Sequence, residues 1–416
     1  MSPLPIPTGP SPASSLSRAF ALGLGLVLAA CASTSPEPQP RAESPVPAAP
    51  VAPARSAATS FDALPGWNRT DPSAALSAFV ESCRRIDARP DHEPMSAQAA
   101  YAGTVGDWRG VCAQAAVLQA GRAGPDAARG FFERAFTPFS LSGTGRLTAY
   151  YEPVVEVRAR PDSEFSMALR ARPDDLLTGD LGQFIAGLEG RRIVGRASED
   201  RFEPYRPRAD IEALDLGVPI AWGRPIEVFF LQIQGSGRLV WPDGSVARAA
   251  FAAHNGLPYV SIGRVLIDRG ELSAHDASKE DIEAWLRARG PQAWTALFNE
   301  NPRYVFFQLQ PLTDPDRGPA GSQGAPLTPM ASLAVDPAHH AWGVPIFLQA
   351  AIHGDPDWSG LVIAQDAGGA IQGPLRGDLF IGWGEEAGYR AGRQNADARW
   401  FVLLPNRLAA RIARTS

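Results

Sequence analysis

The chain has 416 residues, of which 45% are hydrophobic and 20% charged, and its formal net charge is −5. The length leaves room for two domains, and the composition is that of an ordinary globular protein. The mild acidity excludes the basic face of a nucleic-acid binder. With 40 Gly and 39 Pro, the chain is punctuated too often for helix bundles and favours a turn-rich β architecture.

Residues 19–30 read AFALGLGLVLAA behind Arg18, an apolar run of the length of a secretory signal core. It ends on Leu28-Ala29-Ala30-Cys31, the pattern of a lipobox, so cleavage before Cys31 and lipidation of Cys31 are expected. Ala32, where an Asp would argue for the inner membrane, favours the outer one. Residues 31–60 are Pro-, Ala- and Ser-rich, cannot bury a core and read as an extended tether. Beyond Cys31 only Cys83 and Cys112 remain, and in an oxidising compartment they either pair or lie as two buried thiols. The six His have no zinc-like spacing, and no metal or other cofactor is expected.

Helices are predicted over 73–89, over 108–120 and from Pro125 onward, the last carrying Phe131, Phe132 and Phe136. Residues 145–153, GRLTAYYEP, read as a strand stopped by proline, whose alternation turns Tyr150 and Tyr151 to opposite faces. Residues 228–231, VFFL, read as a strand running into QIQGSGR. On that reading Gln232 and Gln234 share a face and offer amides to sugar hydroxyls and N-acetyl groups. His254-Asn255-Gly256 is a turn, helices are expected over 279–289 and 293–299, and residues 317–325 form a glycine-rich loop.

The densest chemistry lies in LVIAQDAGGAIQGPLRGDLFIGWG, residues 361–384. Two short apolar runs deliver Asp366 and Asp378 beside glycine turns, with Arg376 the one nearby charge. A carboxylate in apolar surroundings resists ionising, which suits a general acid. Asp336 ends a third apolar run, SLAVD. A short helix is expected from Glu385 and a final strand over 400–404.

Three aspartates on short strands with this glycine pattern resemble the 3D domain, which is named for them. The tokens LTAYYEP, FFLQIQGSGRL, HNGLPYVSIGRVLIDRGE, NPRYVFFQL, SLAVDP, AQDAGGAIQGPLRGD and WGEEAGYRAGR, in that order, resemble the membrane-bound lytic murein transglycosylase A family. Ala149 stands where the family more often has Gly. The resemblance implies a mainly β fold with added helices. A double-psi β-barrel would span residues 61–158 and 303–416, a smaller inserted β domain residues 159–302, and a glycan groove would run between them. It implies Asp378 as catalytic acid and base, Asp366 and Asp336 as supporting acids, and Thr148, Tyr150, Gln232, Gln234, Ser236 and Asn255 as substrate contacts. The implied partners are peptidoglycan strands and, through the lipid, the outer membrane. Two other functions fit the same residues. One is a hydrolase pairing Asp378 with Asp366, and the other is a wall-binding lipoprotein without catalysis.

Overall fold

The structure is a computed structural model that describes residues 56–188, 191–273 and 277–415. The predicted signal segment, Cys31 and most of the tether lie outside these residues. Ser56–Ala58, read from the sequence as the tether's end, already forms a strand antiparallel to Phe136–Leu141.

Three helices lead in: Ser73–Ile86, Val105–Ala120 and Pro125–Ala135. The second starts on a Thr104/Asp107 capping box, in which two orphan N–H groups of the first turn are satisfied reciprocally. The third starts on Pro125, whose missing N–H costs nothing in a first turn. Phe79 of the first helix lies among Trp108, Phe131, Phe132 and Phe136, and all five rings are buried. Burying such a ring contributes about 1.5–3 kcal/mol. Cys83 and Cys112 are joined in a disulfide between the first two helices, with their Cα atoms 5.4 Å apart.

The helices cover a mixed sheet of eight strands. Its order is Ser56–Ala58, Phe136–Leu141, Asn395–Pro405, Pro345–Ala350, Ser359–Asp366, Ser332–Val335, Arg376–Trp383, Gly145–Glu152. Asn395–Pro405 also pairs with Gly145–Glu152, so the pairings of the last six strands return to their start. Near-continuous apolar runs such as Leu361-Val362-Ile363-Ala364 are buried on both faces, as expected when helices cover one side and strands curl over the other.

Between Gly145–Glu152 and Ser332–Val335 the chain builds a second region. A four-stranded sheet runs Val305–Pro311, Val246–His254, Gly237–Val240, Val154–Glu156. Two smaller sheets and the helices Arg208–Ala213, Pro225–Gln234, Ile262–Asp268, Lys279–Arg289 and Pro291–Asn299 surround it, with hydrophobic clusters of their own.

Pro225–Gln234 corrects the sequence reading, which made residues 228–231 a strand. Val228, Phe229, Phe230 and Leu231 are all buried, so the segment shows no amphipathic period and looks like a core strand. The true signals are its ends. Pro225 occupies the first turn, and Gly235 takes the left-handed conformation at φ 82° just past the helix. Ile262–Asp268 and Asn406–Thr415 are helices that the sequence reading did not anticipate.

A buried ionic joint ties the two regions. Glu152, at the end of its strand in the large sheet, is wholly buried and accepts from Arg238 Nε at 2.9 Å and Arg248 Nε at 2.5 Å. The Arg238 guanidinium also lies 4.1 Å from the centre of the Trp383 ring, on the strand that carries Asp378.

Candidate active site

Strand register assembles the site. Ala334 pairs with Asp366 on one side and with Asp378 on the other, and Asp378 pairs with Thr148 on the next strand. The four residues form a row across four strands on one face. The two aspartates stand two strand spacings apart, about 10 Å between backbones. The methyl group of Ala334 leaves the space between them open.

The row lies in a groove of about 1000 Å³ between the two regions. Thr148, Tyr150, Ala334, Asp366, Arg376 and Asp378 line it from the large sheet. His254, Tyr259 and Arg303 line it from the second region.

The two aspartates differ in how they are satisfied. Asp366 accepts four hydrogen bonds: Tyr150 Oη at 2.7 Å, Ser322 N at 2.9 Å, Ser322 Oγ at 2.8 Å and Ala367 N at 2.9 Å. Burial pushes its pKa up, and the Tyr150 and Ser322 bonds pull it back. Asp378 accepts one bond on Oδ1, from Thr148 Oγ1, and its Oδ2 has no bond from the described residues. Thr148 has little choice of donor direction, because its oxygen accepts from Arg376 Nη2 at 2.9 Å. Burial raises the Asp378 pKa to about 6, against the pull of the Thr148 bond and the Arg376 charge. The neighbouring Asp366 adds to the rise. Asp378 is therefore a carboxyl that holds or gives up its proton near neutrality, the property a general acid and base needs.

The other residues singled out in the sequence fall in different places. Asp336 lies outside the groove lining and fastens backbone, accepting from Ala338 N at 3.0 Å and Gly373 N at 2.7 Å. Gln234 and Ser236 line the groove, and Gln234 accepts from Tyr151 N at 3.1 Å. Gln232 lines it too, but residues two apart on a helix do not share a face, so the strand-based pairing with Gln234 is corrected. Its Oε1 accepts from buried Arg208, while its Nε2 is buried without a partner among the described residues.

Asn255 is a further correction. It is wholly buried and absent from the groove lining. Its Nδ2 donates to Arg206 O at 2.9 Å and Pro302 O at 2.8 Å, and its Oδ1 accepts from Tyr304 N at 3.0 Å. It braces the chain at 301–304, a role its place in a sequence turn did not reveal.

Sequence reasoning passed over Tyr259, His254 and Arg303. Tyr259 is half-buried, and burial raises its pKa, with the nearby Asp378 charge adding to the rise. Its only sequence signal was its place in the token HNGLPYVSIGR.

Two walls of different origin, with a proton-holding carboxyl on a strand between them, define an acid–base enzyme that works on an extended ligand. Comparison with known proteins gives the family. Residues 146–308 match the MltA specific insert domain, and residues 331–404 match the 3D domain. Over 273 residues the chain is 32% identical to the membrane-bound lytic murein transglycosylase A of Vibrio cholerae, an alignment spanning 64% of this chain and 67% of that protein. The Escherichia coli K12 protein of the same name is 30% identical over 63% of this chain and 66% of its own length. A membrane-bound lytic murein transglycosylase from Agrobacterium tumefaciens superposes with a TM-score of 0.75 at 33% identity, covering 86% of this chain and 99% of that one. Escherichia coli MltA with bound chitohexaose superposes with a TM-score of 0.59 at 26% identity, covering 79% of this chain and 90% of that one. The chain belongs to the membrane-bound lytic murein transglycosylase A family.

Proposed function

We infer that this protein is a peptidoglycan lytic transglycosylase and that Asp378 carries its chemistry. It cleaves the β-1,4 bond between N-acetylmuramic acid and N-acetylglucosamine without water and leaves 1,6-anhydromuramoyl ends. One observation supports the assignment above the rest. Of the two groove aspartates, only Asp378 keeps an oxygen free of donors among the described residues.

Cleavage builds positive charge on the anomeric carbon and negative charge on the departing oxygen. Protonated Asp378 donates to that oxygen as the C1–O bond breaks. The resulting carboxylate takes the proton of the muramoyl 6-hydroxyl, whose oxygen bonds to C1. The acid ends the cycle protonated, as it began. The nucleophile is already tethered to its target, so little entropy is lost in bringing it up. Thr148 and Arg376 hold the carboxyl in register. Asp366 shapes the loop after its own strand and keeps Tyr150 in place. With four donors on it, Asp366 is poorly placed to activate water, which disfavours a hydrolase using both acids. Asp336 supports the turn before Arg376 through Gly373.

The large sheet, with its pairings returning on themselves, is compatible with the double-psi β-barrel of the 3D family, and we assign it so for 61–158 and 303–416. The insert is assigned to 159–302; Val154–Glu156 and Val305–Pro311, in the segments on either side of it, pair with its strands Gly237–Val240 and Val246–His254. No helix among the described residues is long and apolar enough to cross a membrane. We assign membrane attachment to a lipid on Cys31, on the strength of the Leu28-Ala29-Ala30-Cys31 pattern, with the enzyme on the periplasmic face of the outer membrane.

Mass spectrometry of murein sacculi digested by the purified protein tests the reading. Anhydro-ended muropeptides, lighter by one water than reducing ends, are expected from the native chain and not from Asp378→Asn. Reducing ends alone would make it a hydrolase, and no soluble product would leave a binding protein.

A further inference from the structure

The groove's two walls differ in charge, Arg376 being the sheet wall's one cation beside its two acids. The large sheet brings both acids, Asp366 and Asp378, whereas the second region brings Arg172, Arg192, Arg208 and Arg303 and no acid to the lining. A neutral sugar chain can accept hydrogen bonds from such a wall but leaves its charge unbalanced.

Arg303 is the cation built in most firmly. Its backbone is fastened by buried groups. Its carbonyl accepts from Arg208 Nη2 at 2.8 Å, and its N–H donates to Asn301 Oδ1 at 3.3 Å. Arg208 is 1% exposed and Asn301 2%. The same short segment is held by Asn255 through Pro302 O and Tyr304 N. The guanidinium makes one hydrogen bond, from Nη1 to Leu257 O at 3.1 Å, and no carboxylate of the described residues pairs with it. It reaches across the groove toward the loop that follows Asp366, where a Cβ placed on Gly369 would sit 3.4 Å from its Cζ. Glycine at that position leaves the guanidinium face uncovered.

His254 stands beside it. In the sheet His254 pairs with Val305, two residues beyond Arg303. Its Nδ1 lies 2.8 Å from Gly256 N and accepts that proton, which makes the ring neutral and puts its remaining N–H on Nε2. Burial and the Arg303 charge both disfavour the imidazolium. Arg303 and His254 together thus present donors and no acceptor. Half-burying a guanidinium without an acid is costly, and the same burial depresses its pKa. The arrangement is compensated when an anion arrives.

We propose that Arg303, seconded by His254, forms a carboxylate-binding subsite on the insert wall, which takes the acidic substituent of the muramoyl residue while the sugar backbone lies on the strand row. The proposal rests on the peptidoglycan reading above and adds that the enzyme reads the charge on its substrate as well as the glycan. Two parts of that substituent present carboxylates: the peptide stem, and the lactyl group once a stem has been removed. Planar guanidinium against carboxylate is the pairing that favours Arg over Lys.

The test uses the full chain and four substrates: sacculi, sacculi with stem carboxyls converted to amides, stem-free strands with free lactyl carboxyls, and the same strands amidated. The native protein should show a KM about tenfold lower on a carboxylate-bearing substrate than on its amide counterpart, with kcat little changed. In Arg303→Gln that ratio should fall to near one, and Arg303→Lys should restore part of it. Unfolding temperatures of the variants establish that the groove is intact. A preference seen with sacculi places the charge on the stem, and one seen only with stripped strands places it on the lactyl group. The subsite is overturned by a native enzyme indifferent to amidation, or by an Arg303→Gln variant that keeps the preference. Neither outcome touches the transglycosylase reading, which fails only if no anhydro product forms from any of the four.

Discussion

The wall built from the large sheet and the wall built from the insert solve different problems. On the sheet wall every functional group stands on a strand and is fixed by register: Thr148, Asp378, Ala334 and Asp366 occupy successive strands of one row. On the insert wall the groups stand at strand ends and loops and are held by buried side chains, Arg208, Asn255 and Asn301. A backbone ladder holds positions to a fraction of an ångström, as proton transfer requires. Side-chain bracing tolerates variation and suits recognition. The contrast teaches that chemistry and selectivity in this groove rest on separate supports and should fail separately.

The largest effect that this separation predicts is on the sheet wall. Asp378→Asn preserves shape and removes the proton, so kcat for anhydro-muropeptide release should fall by about 10³-fold or more, with glycan binding retained. Near-full activity in Asp378→Asn, with loss in Asp366→Asn, would exchange the two roles. The next effect is on the joint between the walls. Glu152→Gln leaves Arg238 and Arg248 buried without their acid, which should cost about 3–5 kcal/mol in denaturant unfolding. If the variant unfolds at the native midpoint, the joint is not what holds the regions together.

The sheet wall was also the more legible in sequence. Asp366 and Asp378 stood out because each follows or opens an apolar run beside glycine, a local pattern. The row itself was not legible, since Thr148 and Asp378 are 230 residues apart and meet only through parallel pairing. The insert wall misled for physical reasons. The helix Pro225–Gln234 buries Val228 to Gln232 without a break and so hides its period, and its glutamines were placed on a strand face. Asn255 sits in a turn motif, yet its amide points inward to three backbone partners. Arg303 has no local signature, because being unpaired is a property of the assembled groove. The helical lead-in was read well except that Phe136, expected in the third helix, opens the strand Phe136–Leu141, and Cys83 and Cys112, left open between bond and thiols, are bonded.

A smaller effect sharpens the account of the row. With its pKa at about 6, Asp378 loses the proton it must donate as pH rises, so kcat/KM should decline above about pH 6. Thr148→Val removes a bond that favours the carboxylate, so the decline should move to higher pH. Asp366→Asn removes a neighbouring negative charge, so the decline should move to lower pH. At pH 7 each change in kcat/KM from this source should stay within about tenfold. Shifts in the same direction would mean that the limb belongs to another group.

The smallest effect is on stability, and it has the opposite sign to the effect on activity. In the unfolded chain an Asp titrates near about 3.9, whereas in the fold Asp378 titrates at about 6. The folded state therefore prefers the protonated acid. That preference stabilises fully below about pH 4 and is lost as pH rises through about 6. At pH 8 the native protein bears an ionised carboxylate it would rather not hold. Asp378→Asn should then unfold a few degrees higher than native, worth about 1–2 kcal/mol after allowance for the open groove, and the advantage should vanish at pH 4. An asparagine variant less stable than native at both pH values would mean that the Thr148 bond outweighs burial. The raised pKa of the carboxyl would then need another cause.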